Sequence, residues 1–476
     1  MSELHDLSAV EAAAAVRRRE VSPVELVQHA LDRVSRLDDQ LGAFVTVTAE
    51  RALKQARFAE QRVLDAADPD ELPPLLGVPT AIKDLNLTAG IPTKLGSAAF
   101  VDFVPEVDDN VVTLLAGAGT ISIGKTATPE FGLPCYTETD IGAPARTPWD
   151  PTRLAGGSSG GAGAAVAGGF VPFAQGSDGG GSVRIPASAC GLVGLKTSRG
   201  RISRGPMDFD STRLAVYGPL ARTVRDAAAF LDATAIPQPG DPDPIAPLPA
   251  GETFLDWCDR DPGRLTIGRF ADSPMDHELD PEIRTAWERT AGLLASLGHE
   301  IVDVAAPVPR EAVPAFETVW SVSACGVPID RSREHLLRPL TRHLRARGMA
   351  ISGPQFSNAL GALNVHARRA IEATAQLDAV LTPTLAQLPR PVGWFDADGD
   401  PAADFERQKR YTPYTSMYNM TGQPAISLPL HVSADGLPIG MQLVGRPRGE
   451  AALLALAAQL EAAAPWRDRR PPIWTA

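Results

Sequence analysis

Between Gly156 and Gly205 the chain carries two serines in glycine-rich surroundings, GGSSGG at 156–161 and GSDGGGSVR at 176–184. Ser158 and Ser182 stand 24 residues apart in these clusters. Glycines adopt backbone conformations closed to other residues, so Gly179, Gly180 and Gly181 can turn successive N–H groups toward one point. Such a nest stabilises an oxyanion, and each donor lost costs roughly 10²–10³ in rate. Ser182 follows the nest directly and is placed to attack the carbonyl whose oxygen sits there. Asp178 and Arg184 flank the loop and are expected to brace it as a buried pair.

A serine hydroxyl needs a base. No histidine lies between His29 and His277, so an imidazole could reach this loop only from a distant part of the chain. Lys83, in LLGVPTAIKD, closes a short apolar run that reads as a buried strand. Desolvation lowers a lysine pKa, and a neutral amine can act as a general base. Ser–Lys arrangements are an established hydrolytic variant. Other readings of the same glycines are weaker. GGSSG at 156–160 fits the G-x-S-x-G nucleophile elbow, but PTRLAG before it is a poor strand. Gly161-Ala-Gly163 resembles a dinucleotide fingerprint, but Val166 stands at the third glycine position and no strand precedes it.

The elements around these residues follow from periodicity and capping. Ser22-Pro23-Val24-Glu25 is a capping box with proline at the first helical position, and the first sixty residues read as helices. From Leu75, short apolar runs (Gly77–Ile82, Thr120–Gly124) alternate with helical stretches such as Asn110–Ala118. That pattern predicts an α/β protein with a mixed sheet. A helix over Ala162–Gly168 and a strand over Phe170–Ala174 are expected to return the two serine loops to one end of that sheet. Thr223 caps a further helix. Arg264–Phe270, Pro281–Leu297 and Glu300–Val304 read as a βαβ unit at the sheet's edge. Ala379–Leu381 and Ala425–Leu430 read as buried strands, and 449–463 as a final helix.

These segments, with GVPTAIKD at 77–84, PASACGLVGLK at 186–196, LTPT at 381–384 and NMTGQPAISLP at 419–429, resemble the amidase signature family in order over nearly the whole chain. The resemblance implies a large central mixed β-sheet covered on both faces by α-helices. It also implies a serine-dependent amidase that hydrolyses carboxylic amide C–N bonds, linear or cyclic, with no metal and no organic cofactor. In that reading Ser182 forms the acyl-enzyme. Ser158, expected to follow a cis peptide bond, relays protons to Lys83. Backbone N–H groups of Gly179, Gly180, Gly181 and Ser182 form the oxyanion hole, and Ser159, Asp178 and Arg184 support the loops. Gly179 departs from the family's usual Thr or Ile, which removes a side chain from the pocket wall.

The expected substrates are apolar, aryl or alkyl amides, with esterase or carbamate cleavage known in some members. Pocket walls are expected from 131–145, 316–330 and 405–420, with Phe316, Trp320, Tyr411, Tyr414 and Tyr418 making them aromatic. The alternative is the amidase-type component of a glutamine-dependent tRNA amidotransferase. Two things weigh against it: YTPYTSMYN at 411–419 has no acidic residue, and 330–350 has no GEEVKRRI-like stretch. A catalytically dead binding relative is disfavoured because all three catalytic positions are intact.

Composition agrees with a soluble enzyme. The 476 residues are 44% apolar and 21% charged, with a net charge of −12, which leaves no electrostatic footprint for nucleic acid. Cys135, Cys190, Cys258 and Cys325 are far apart with no CxxC pair. No leader pattern opens the chain, and the uncharged stretch Leu154–Ser177 is too rich in Gly and Ser for a membrane span. The expectation is therefore a cytoplasmic protein whose partners are a small-molecule amide and water, with no nucleic acid or membrane, and with a homodimer as the family's habit. Within one core, 1–70 is expected to be an N-terminal helical segment and 71–236 the signature core. Residues 237–476 complete the domain, with a βαβ lobe and helical insertion at about 260–377 and return strands at 378–430.

Overall fold

Ser8 and Ser22 each accept a backbone N–H of the helix they precede, and Glu11 and Glu25 reach back to the cap residue's own N–H. These two boxes start the helices Ala9–Arg17 and Pro23–Leu41. The computed structural model describes residues 3–208 and 210–476 of the chain. The second helix buries Leu26, Val27, Ala30, Leu31, Val34 and Leu37, the amphipathic stripe its sequence shows. It stops at Gly42, which takes a left-handed conformation.

The all-helical reading of the first sixty residues needs one correction. Phe44–Val47 is a strand, β1. It is four residues long, partly exposed, and pairs with a single neighbour, so it offers no run of alternation to read.

The remaining strands are β2 (Pro79–Lys83), β3 (Ile121–Thr126), β4 (Phe173–Asp178), β5 (Val193–Lys196), β6 (Val216–Ala221), β7 (Thr266–Arg269), β8 (Glu300–Asp303), β9 (Ala379–Pro383), β10 (Ala425–Val432) and β11 (Pro438–Gly445). Eight of them form a mixed sheet in the order β4-β6-β5-β10-β11-β9-β7-β8. Pairing is antiparallel from β4 to β9, and parallel where β7 joins β9 and β8. The β7–helix Pro281–Ser296–β8 unit closes one edge. A smaller sheet, β1-β3-β2, has β3 antiparallel to β1 and parallel to β2.

The two sheets meet where β2 lies along β4. Side chains bridge this seam. Thr80 Oγ1 donates to the Phe173 carbonyl at 3.1 Å, and the Lys83 N–H donates to Gln175 Oε1 at 3.0 Å.

The uncharged stretch after Leu154 is interior. Its helix, Gly160–Ala167, is buried on every side. A Cβ on Gly161 would lie 2.3 Å from the Ala127 nitrogen and 2.5 Å from the Ala43 carbonyl oxygen, so only glycine lets these backbones approach. The strand after it starts at Phe173, three residues later than the apolar run suggests, and continues to Asp178. Among the described residues no helix is long and apolar enough to cross a membrane.

Candidate active site

Lys83 ends β2 with no solvent exposure. Its Nζ lies 2.7 Å from Ser158 Oγ and 2.9 Å from Ser177 Oγ. Burial pushes the lysine pKa from 10.5 down to about 7, against the opposing pull of the Asp178 carboxylate. At neutral pH a substantial fraction of this amine is uncharged. Such an amine can accept from one hydroxyl while donating to the other.

Ser158 is delivered by the turn entering the buried helix, and the Gly157–Ser158 peptide bond is cis. Ser159 ties the turn to β4: its Oγ donates to the Ser177 carbonyl at 3.2 Å and accepts the Ser177 N–H at 3.3 Å. Its own N–H donates to the Ser182 carbonyl at 3.2 Å, which joins the two serine loops through the backbone. Sequence reasoning passed over Ser177 and Gln175. They alternate along β4 and share the face turned to β2, where one holds the Lys83 amine and the other its backbone N–H. The period-2 position of Gln175 and Ser177 in the buried strand FAQGSD was the available signal.

Ser182 follows a turn built on Asp178. The two carboxylate oxygens accept the N–H groups of Gly181 (2.8 Å) and Val183 (3.1 Å). Arg184 grips the same carboxylate through Nε at 2.9 Å and Nη2 at 2.8 Å. The guanidinium's other N–H groups reach the Thr415 carbonyl, Gln442 Oε1 and Asn419 Oδ1, so all five donors have acceptors. Burial alone would raise the Asp178 pKa, but the Arg184 charge and hydrogen bonds hold it well below the usual carboxylate range. Gly181 has φ +135°, and a Cβ there would lie 2.4 Å from Thr415 Oγ1, so the turn tolerates no side chain.

This turn corrects one expectation. The Gly181 N–H is taken by Asp178 and does not face a substrate. Among the described residues the N–H groups of Gly179, Gly180 and Ser182 have no hydrogen-bond partner, and neither does Ser182 Oγ. Lys83 and Ser158 are therefore in direct contact, while Ser182 joins them through the loop backbone and not through its hydroxyl.

A family model for amidases matches residues 25–454. The chain belongs to the amidase family. It is 35% identical over 483 residues to the 6-aminohexanoate-cyclic-dimer hydrolase of Paenarthrobacter ureafaciens, covering 96% of this chain and 95% of that protein. It is 34% identical over 504 residues to a glutamyl-tRNA(Gln) amidotransferase component of Chromohalobacter salexigens, covering 98% and 99%. A solved structure of 6-aminohexanoate cyclic dimer hydrolase with substrate superposes with a TM-score of 0.91 at 32% identity, covering 99% of this chain and 100% of that one. This amidase is accordingly a hydrolase of carbon–nitrogen bonds in non-peptide amides.

Two cavities open beside the serine loops. One, of about 110 Å³, is lined by Gly180 and Ser182 together with Pro134, Cys135, Ile185, Phe316, Trp320, Met417 and Met420. The other, of about 740 Å³, is lined by Ser158, Ser177 and Gly179 with Phe100, Phe131, Trp320, Cys325 and Val327. The expected wall segments all contribute. Phe316 and Trp320 stack with ring centroids 5.6 Å apart. Tyr411, Tyr414 and Tyr418 do not line either cavity; they are buried core residues. Tyr411 packs on the Phe395 ring, the Tyr414 hydroxyl donates to the Ala271 carbonyl at 2.6 Å, and Tyr418 joins an apolar core cluster. Among the described residues no group of three or more His, Cys, Asp or Glu side chains could hold a metal ion.

Proposed function

We propose that this amidase hydrolyses amides through an acyl-enzyme on Ser182, activated by Lys83 acting through Ser158. The observation that carries the reading is a fully buried amine, with its pKa near neutrality, 2.7 Å from the Ser158 hydroxyl. Ser177 accepts an N–H of the neutral amine, which leaves the lone pair for the Ser158 O–H. Ser158 passes its proton to Lys83 as it takes the Ser182 proton. The Ser182 oxygen then bonds to the carbonyl carbon.

The developing oxyanion is met by the N–H groups of Gly179, Gly180 and Ser182, fixed before the reaction by the Asp178–Arg184 pair. Gly181 is not one of these donors. As the C–N bond breaks, the proton on Lys83 returns through Ser158 to the leaving nitrogen. Water, deprotonated along the same route, attacks the ester carbonyl, and as the Ser182 O–acyl bond breaks the proton returns through Ser158 to Ser182 and the acid leaves. The Ser158–Ser182 link closes by a side-chain rotation of Ser182, whose Oγ has no competing partner.

The apolar, aromatic cavity around Ser182 favours amides with apolar alkyl or aryl acyl groups. The second reading, a partner-dependent amidotransferase component, rests on the likeness to the Chromohalobacter protein. The experiment uses the purified chain alone. Anilide and primary-amide turnover without a partner supports the hydrolase, and Ser182→Ala should lower kcat/KM by on the order of 10⁴ or more with an unchanged thermal melt. Wild-type activity in Ser182→Ala ends the proposal. Turnover that requires a co-purifying protein favours the second reading.

A further inference from the structure

Trp320 lines both cavities, and its ring lies over the glycine loop. A Cβ on Gly179 would meet Trp320 Cη2 and Cζ3 at 3.5 Å, and one on Gly180 would meet Cη2 at 3.8 Å. The indole thus packs against the peptide that carries two of the free N–H donors. Phe316 stacks on the indole at an interplanar angle of 15°, and its Cζ would lie 4.0 Å from a Cβ on Gly180. The two chambers also differ in which serine they expose. Ser182 opens to the smaller one and Ser158 to the larger.

We propose that Trp320 partitions the substrate, sending the acyl group to the Ser182 chamber and the amine and hydrolytic water to the Ser158 chamber. This rests on the acyl-enzyme reading above. The acyl group stays covalently on Ser182 after the C–N bond breaks, so it needs room on that side. The leaving nitrogen receives its proton from Ser158, and the water that replaces it gives its proton to Ser158. Both must lie on the Ser158 side.

Both chambers have mainly apolar walls, and they differ chiefly in size. The Ser182 chamber is apolar through Ile185, Val308, Phe316, Met417 and Met420. Its charged residues, Glu317 and Lys409, are tied to each other at 2.5 Å. It suits a hydrocarbon or aryl acyl chain. The Ser158 chamber is larger, walled by Leu85, Phe100, Phe131 and Val327 with Asp109, Arg204, Asp208 and Asp210 among its lining, which suits a bulky amine.

Blocking each chamber in turn tests the assignment. Val313 and Thr412, both half-buried, line the Ser182 chamber, and Val327, half-buried, lines the other. The readout is a ratio of kcat/KM values within each protein: octanoyl to acetyl p-nitroanilide for the acyl side, and benzylamide to methylamide of one acid for the amine side. Each buried methylene is worth about four-fold in affinity. Val313→Phe should lower the acyl ratio at least ten-fold, through KM, and keep the amine ratio of the wild type. Val327→Phe should do the reverse. Trp320→Ala, which merges the chambers, should flatten both. Thr412→Phe serves as a second block should Val313→Phe melt early. Blocks that alter the opposite ratio, or Trp320→Ala with both ratios unchanged, overturn the partition. Labelling of Ser182 by a fluorophosphonate, read by intact mass in every variant, separates that failure from failure of the acyl-enzyme reading, which would leave Ser182 unlabelled.

Discussion

Ser177 Oγ lies 2.9 Å from Lys83 Nζ, so the buried amine has two hydroxyl neighbours and not one. The second hydroxyl sits on β4, which is braced to the Ser158 turn by both hydrogen bonds of Ser159. Its function follows from what an amine can do: donated to Ser177, one N–H fixes the direction of the lone pair.

Ser177→Ala should therefore lower kcat about ten-fold or more, by analogy with the range for general-base positioning. A hydroxyl acceptor favours the charged ammonium. Its removal should move the acidic limb of kcat/KM to lower pH. A pH–rate profile of the variant checks both, and a limb that moves upward would refute the assigned geometry.

Asp178 and Arg184 have no solvent exposure and are joined at two points. Removing one partner leaves a buried charge uncompensated, which costs about 3–5 kcal/mol. Arg184→Met should lower stability by that amount in urea denaturation and should release the Gly181 N–H from its fixed acceptor. Equal stability of Arg184→Met and wild type would show that the pair does not organise the turn.

His431 sits beside Thr290, whose hydroxyl donates to the Ala286 carbonyl at 2.9 Å and so accepts from His431 Nε2 at 2.8 Å. Burial, with the nearby Arg469 and Arg289 charges, lowers its pKa from 6.5 to about 4. The folded chain thus binds this proton more weakly than the unfolded one. The contribution of His431 is full above pH 6.5 and is lost as pH falls toward 4. The stability gap between wild type and His431→Asn should narrow over that window. A gap that widens on acidification would contradict the shift.

Much of this architecture is legible in the sequence where local rules act alone. The capping box at Ser22 and the βαβ unit ending in β8 follow from spacing. Asp178 and Arg184, six residues apart, follow from their flanking of a glycine run. What escaped depends on contacts distant in sequence. β6 reads VYGPLA and β11 reads PIGMQLVG, with Gly and Pro that local rules treat as breakers, yet ladders on both sides hold each as a strand. The diversion of the Gly181 N–H to Asp178 needs a turn geometry no spacing reveals. The tyrosines at 411, 414 and 418 look like pocket residues until packing turns them inward.

The central claim is that an uncharged Lys83 activates Ser182 through Ser158, and the rate of covalent labelling of Ser182 tests it without reference to substrate. With a fluorophosphonate followed by intact mass and peptide mapping from about pH 5 to 9, the label should fall on Ser182. Its rate should rise with a single ionisation near pH 7, and drop at least about 10²-fold in both Lys83→Met and Ser158→Ala. A label on another residue, or wild-type rates in either variant, would contradict the account.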